Sequence, residues 1–304
     1  MAMGAADVVP GVSGGTIAFI SGIYEELIDS LRTLDWTAVR VLLRDGLGPA
    51  WRHINGNFLL TVFCGIIVSI LTLANVVNYS LENFPILVWA FFFGLVCASS
   101  VFIGRQLGAW SWREIVALLL GFALAWWVGE IKPAQLPSDW WVIMLAGSVA
   151  ICAMILPGVS GSFILLILGL YTTIIDGLLA IDIGLIGSFV AGCVVGLLCF
   201  SHILSWLLHH YHKPTLALLT GFLLGSLNVI WPWKQILQTT IDRHGELIPV
   251  VQENLLPWQF FDATGRDPQV MLALLLALFG AILVFGLELF AKKGQAEKSP
   301  TVES

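Results

Sequence analysis

Six apolar stretches run along the chain at 58–78, 84–103, 115–130, 182–207, 214–231 and 270–290, divided by polar or charged segments. Each is long enough, or nearly so, to supply the about 20 residues an α-helix needs to cross a bilayer core. The third is short and ends in Trp126 and Trp127, a pair suited to the membrane interface. Two more apolar regions, 4–31 and 140–178, are each interrupted by Pro-Gly-Val-Ser-Gly. Proline removes a backbone donor and glycine loosens a helix. Each region therefore predicts a broken helix or a hairpin.

These two regions repeat each other. Residues 7–31 align without gaps on 154–178, and twelve of 25 positions are identical. The matches include Pro10 with Pro157, Ser13 with Ser160, Gly22 with Gly169, Tyr24 with Tyr171 and Asp29 with Asp176. Shared apolar composition does not readily supply the same pentapeptide twice, followed by glycine and tyrosine in register. The chain thus divides into a first repeat, 1–139, and a second, 140–290, each with one broken element and three spans. In the later spans Gly94 is paired with Gly225. Residues 291–304 read as a polar, disordered tail on the cytoplasmic side.

The parity of that unit predicts the fold class: an all-α polytopic membrane protein with an inverted-topology repeat. A re-entrant element leaves on the side it entered, three crossings follow, and the second half starts on the opposite face. Charge agrees. With the tail inside, the inner segments hold ten basic residues: Arg32, Arg40, Arg44, Arg52, Arg105, Arg113, Lys213, Lys292, Lys293 and Lys298. The outer ones hold four, Lys132, Lys234, Arg243 and Arg266, which is the positive-inside bias.

Composition narrows the field further. Apolar residues make up 58% of the chain and charged ones 11%, against about 45–50% and about 25% in soluble domains. This excludes a soluble enzyme, a disordered chain and a nucleic-acid binder. The five cysteines all lie in apolar stretches without metal-ligand spacing, so neither a disulfide nor a metal site is expected.

The two tips carry the candidate chemistry. Non-helical backbone at membrane depth is tolerated where it is buried in protein or lines a wet cavity. Glycines let the backbone approach a ligand, serines add hydroxyls, and the unpaired N–H groups beyond them favour an anion, a phosphate in particular. The candidate phosphate-binding residues are Gly11, Val12, Ser13, Gly14, Gly15 and Thr16 in the first tip. In the second they are Gly158, Val159, Ser160, Gly161 and Ser162. Asp7, Asp29 and Asp176 are candidate protonatable groups, since membrane-buried acids mark ion or proton paths. Glu25 and Glu26 read as solvated at the inner interface, and His202, inside a span, as a satisfied core histidine. Arg105 and Arg113 bracket an inner loop and could draw an anionic headgroup.

The stretch from Met3 to Asp29, centred on Asp7-Val-Val-Pro-Gly-Val-Ser-Gly-Gly-Thr16, resembles the opening of the PopT polyprenyl-phosphate transporter family. The second element, Leu156 to Ser162, resembles its internal partner, and the resemblance reaches to about residue 290. It implies a multi-pass protein of the bacterial cytoplasmic membrane that returns undecaprenyl phosphate to the inner leaflet for envelope synthesis. It implies membrane lipids as surroundings, a coupling proton or cation, no cofactor and no enzymatic turnover. Family members usually carry more residues before the first motif, so the entering arm of the first hairpin is short here. Two other readings stand beside it. One is an ion-coupled carrier of another anion on the same scaffold. The other is an intramembrane hydrolase, because residues 11–15 match G-x-S-x-G, although without the strand–turn–helix setting of that motif.

Overall fold

The computed structural model describes residues 1–9, 12–131, 133–134, 136–241 and 247–297. Of the residues singled out above, Pro10, Gly11, Lys132, Arg243 and Lys298 lie outside the described residues.

The first half opens with α1 (Ala2–Asp7), α2 (Gly14–Ile20) and α3 (Tyr24–Arg32). Two short helices follow, α4 (Trp36–Asp45) and α5 (Leu47–His53), and then α6 (Gly56–Asn83), α7 (Pro85–Gln106) and α8 (Trp112–Glu130). The second half runs through α9 (Trp140–Ile155), α10 (Gly161–Ile167), α11 (Tyr171–Leu179), α12 (Ile183–His210) and α13 (His212–Ser226). It ends with a hairpin, β1 (Lys234–Ile241) and β2 (Leu247–Asn254), then α14 (Pro257–Thr264) and α15 (Val270–Glu297).

Local chemistry sets several of these boundaries. Asp182 accepts from the N–H groups of Gly184 and Leu185 and starts α12. Ser111 and Glu114 cap α8 reciprocally. Pro85 begins α7, and Phe84 before it leaves the helical region with φ −134° and ψ 48°. Four helices, α6, α7, α8 and α12, are long and apolar enough to cross a membrane, and α10 with α11 makes a fifth candidate if that bent pair is one span. Their flanks suit lipid: Leu71 on α6 is 76% exposed.

Four expectations change. The span expected at 214–231 is the 15-residue α13, which ends at Ser226 and is not among the helices long enough to cross a membrane. The chain is mostly helical rather than all-α, because the segment 232–269 holds an antiparallel hairpin and α14. Its strands, KQILQTTI and LIPVVQEN, lack a strict polar–apolar alternation and are overshadowed by the stronger apolar runs on either side. The final helix continues to Glu297, past the expected end at 290. Each broken element is broken twice. Beyond the tip, Gly22 and Gly169 adopt φ of +73° and +70°, a conformation glycine reaches without steric cost. At the second of these breaks α10 and α11 are bent by 109°.

The halves also share a register. Phe84 and Tyr211 have nearly the same backbone, the latter with φ −131° and ψ 49°. Their N–H groups donate to Ser80 O and Leu207 O at 2.8 and 2.7 Å. Both pairs are 127 residues apart, against 147 at the tips. The shift corresponds to α4 and α5, which have no counterpart between α11 and α12. Carried forward, 127 pairs Gly94 with Gly221, and Gly225 is displaced from that role. Packing agrees. A Cβ on Gly94 would collide with the Ala277 carbonyl of α15, and one on Gly221 with the Leu118 carbonyl of α8. Reciprocally, Gly280 abuts the Phe91 carbonyl and Gly121 the Leu218 carbonyl. Thus α7 crosses α15 as α13 crosses α8, glycine against carbonyl in each direction.

Candidate functional site

The two tips meet. Thr16 Oγ1, at the start of α2, accepts from Gly158 N in the second tip at 2.9 Å. Ser13 Oγ donates to Met154 O at 2.8 Å, and Tyr24 on α3 donates its hydroxyl to Ile155 O at 3.2 Å. Ser13, Thr16 and Tyr24 are almost wholly buried. The end of α9 has just lost its helical partners at Pro157, so its last carbonyls need donors. Residues of the first repeat supply them. Gly15 lies so close that a Cβ there would stand 2.6 Å from Ile155 O.

The second element doubles back. Ala134 N, in the segment leading into α9, donates to Ile167 O at the end of α10 at 2.7 Å. Gly161 on α10 packs against the Ala150 carbonyl of α9. The start of α9 and the end of α10 are therefore neighbours, with the tip at the far end. A helix of 16 residues is about 24 Å long, shorter than the about 30 Å hydrocarbon core.

The polar groups of the two tips are used differently. In the first, Asp7 Oδ1 accepts from Gly14 N at 2.6 Å, and Ser13 Oγ accepts from Gly15 N at 3.1 Å. In the second, apolar Met154 replaces the acid, Ser160 has no capping bond to α10, and its hydroxyl faces that of Ser162 at 2.8 Å. Val12 and Val159 are both buried. A cleft of about 10 Å³ beside Gly158, Val159 and Ser160 is walled by α8 and by the end of α13. It has room for about one water, so a phosphate group enters only if the tips and these helices part.

Asp29 and Asp176 occupy equivalent positions on α3 and α11. Asp29 accepts from Ser205 Oγ at 2.6 Å, and its other oxygen lies 3.7 Å from His209 Nε2. Glu25, read as simply solvated, faces His212 Nε2 at 2.8 Å, and Glu26 accepts from Asn55. These contacts tie α3 to α12, to the start of α13 and to the start of α6. Asp176 is partly buried on α11. Arg105 and Arg113 stand exposed at the turn between α7 and α8, apart from the tips, where Arg113 lies 5.8 Å over Trp112. His202, expected in the core, is exposed and turns its ring to Leu198 O on its own helix. Ser13, the serine of the hydrolase-like pentapeptide, spends its proton on a backbone carbonyl. Tyr24 escaped the sequence reading as a site residue, although its match with Tyr171 marked it.

Comparison with known proteins follows the same line. The family described as undecaprenyl phosphate translocase-like matches residues 3–248. A relative from Vibrio cholerae, named polyprenyl-phosphate transporter, is 46% identical over 293 residues, 96% of this chain and 95% of its own. One from Staphylococcus aureus with the same name is 28% identical over 249 residues, 76% of this chain and 83% of its own. No solved structure matches the chain.

Proposed function

This chain belongs to the undecaprenyl phosphate translocase-like family, and from that premise we infer that it is a membrane transporter of undecaprenyl phosphate. It works in the bacterial cytoplasmic membrane with its C-terminus inside, and it moves the intact lipid without chemical turnover. The headgroup passes between the two Pro-Gly-Val-Ser-Gly tips while the polyprenyl tail stays in lipid. The observation that carries this reading is the junction of the tips through Thr16, Gly158, Ser13 and Met154. It brings glycine backbone and hydroxyl groups from both halves to one place inside an apolar bundle.

The halves act as an inverted repeat of re-entrant elements. The return of α10 beside the start of α9 supports re-entrance. The reciprocal glycine crossings of α7 with α15 and of α8 with α13 support a two-fold relation. Alternating access is then a rocking of one half against the other about the joined tips. Asp7 couples a proton to the lipid. Its carboxylate holds the Gly14 N–H that an incoming phosphate needs, and protonation on phosphate binding weakens that hold. Asp29 and Asp176, at matching places on α3 and α11, are the second and third candidates for coupling. Gly11 and the other tip residues from Val12 to Thr16 and from Gly158 to Ser162 form the phosphate path. Arg105 and Arg113 gather anionic headgroups at the inner surface.

The test is reconstitution into vesicles with undecaprenyl phosphate followed by leaflet. Ser13→Ala and Asp7→Asn are expected to slow translocation at least tenfold, with the purified proteins still folded. Translocation at the rate of the unaltered protein in both variants would remove the tips from the pathway. Release of inorganic phosphate or free polyprenol would return the chain to the enzymes.

A further inference from the structure

A second cavity, larger than the cleft at the tips, lies between the α6–α7 turn and the segment that follows α13. Its volume is about 680 Å³, within the about 300–1,000 Å³ of small-ligand pockets. Phe84 and Trp89 wall one side and Phe260 another, and Lys234, Arg266 and Asp267 bring charge. The enclosure is built, not incidental. Trp233 Nε1 donates to Pro268 O and Trp231 Nε1 to Leu255 O, each at 2.8 Å. These bonds pin the hairpin and α14 over the ends of α7 and α15. The Lys234 side chain is drawn inward. Its ammonium donates to Val229 O and lies 4.9 Å from the centre of the Trp89 ring.

The charges are unequal. Among the described residues neither Lys234 nor Arg266 has a carboxylate within ion-pair distance. The one lining acid, Asp267, turns an oxygen to the N–H of Gln269 at 2.9 Å. An ammonium and a guanidinium against one carboxylate leave a net positive charge beside three aromatic rings, a site for an anion with an apolar wall. Arginine meets phosphate oxygens through two parallel N–H bonds, and lysine does so as a point charge. The volume exceeds a phosphate group and leaves room for the first units of a hydrocarbon stem.

We propose that this cavity is a docking site for a phosphate monoester on an isoprenoid stem, where the lipid headgroup is held before it reaches the tips. The proposal rests on the transporter reading above and adds a place to it. Under that topology the α6–α7 turn and the segment 232–269 face the outer side, from which the spent carrier lipid is collected. The cavity serves collection and the tips serve passage.

Binding to the purified chain in phosphatidylcholine nanodiscs tests it. Three probes separate the sources of the signal: farnesyl phosphate, farnesol and inorganic phosphate. Farnesyl phosphate is expected to bind best, and R266Q and K234Q each to weaken it about tenfold, as loss of one charged hydrogen bond does. K234R should restore most of the affinity. Arg266 is exposed, so R266Q keeps the test alive if K234Q disturbs the hairpin. Unchanged affinity in the doubly substituted protein would overturn the docking site. Farnesol binding as tightly would remove the phosphate from the recognition, and inorganic phosphate binding as tightly would remove the lipid. If the unaltered chain translocates undecaprenyl phosphate while the double variant loses nothing in binding or rate, only the cavity fails. If it translocates none, the transporter reading fails with it.

Discussion

Gly15 fixes the distance between the two tips. Its missing side chain lets α2 rest against the carbonyls of Met154 and Ile155, and both obstacles to a Cβ there are backbone. Gly15→Ala must push the tips apart, at about 1–3 kcal/mol, read as a lowered unfolding temperature in detergent with loss of translocation. Thr16→Val tests the same junction from its polar side. It leaves the buried Gly158 N–H without an acceptor, a loss of about 1–3 kcal/mol, whereas Thr16→Ser keeps the oxygen and should behave nearly as the unaltered protein. Equal stability of the two Thr16 variants would show that the bond carries no weight. At Lys234 the sign of a pH effect follows from burial, which pushes its ammonium down to about 8. The charge is present below that value and lost above it. Arg266 and Asp267 are the other charged groups lining the cavity. The phosphate's second proton, with a pKa of about 6, is already gone. Farnesyl phosphate affinity should therefore fall between pH 7 and 9, and stay level in K234R; a level profile in both would deny Lys234 a part. The tips were legible in the sequence because a rare pentapeptide occurs twice. Lys234 was not: one lysine in a long polar segment has no pattern, and only the fold sets it against Trp89.

Among the elements, the long apolar helices were the easiest to read, since continuous hydrophobicity over a bilayer's thickness leaves few alternatives. Their register was harder. The sequence reading pairs Gly94 with Gly225, because few identities survive in these later spans to fix their register. The choice is made by packing, where each glycine must face a carbonyl across the crossing. Four glycines share this role in two crossings, so Gly94→Ala and Gly221→Ala should act alike. Each is expected to lower stability by about 1–3 kcal/mol, measured by thermal unfolding, because the obstructing atoms are helix backbone. A large loss at one position and none at the other would break the equivalence. The hairpin and the bends at Gly22 and Gly169 escaped the reading for a different reason. The hairpin segment depends on what it packs against, since Trp233 and Phe260 sit on Ala90 of α7 and Ala273 of α15, and the bends depend on a backbone conformation that one glycine does not announce.

For the whole molecule the decisive property is handedness across the membrane. A duplicated unit with an even number of crossings would leave both tips open to the same side. One with an odd number leaves them facing opposite sides. The α9–α10 hairpin bears on this, because a tip that returns to its starting side adds no crossing, and the three helices after it then invert the next half. The second line is the excess of basic residues in the segments that the proposed topology puts inside, and it comes from loops that the hairpin does not touch. Val12→Cys and Val159→Cys, each made singly in a chain whose five native cysteines are replaced, put the two lines to one measurement. Both positions are buried at the junction, so a membrane-impermeant thiol reagent should modify each slowly. Substrate cycling should raise the rates, with the thiol of the first variant reached from one face and that of the second from the other. The reason is mechanical: parting the halves on one side opens one tip while the Thr16–Gly158 contact closes the other. Modification of both from a single face would mean that the broken elements cross instead of returning. The passage would then have to run between the repeats along a common pore, a geometry in which the buried contacts between the tips would have no work to do.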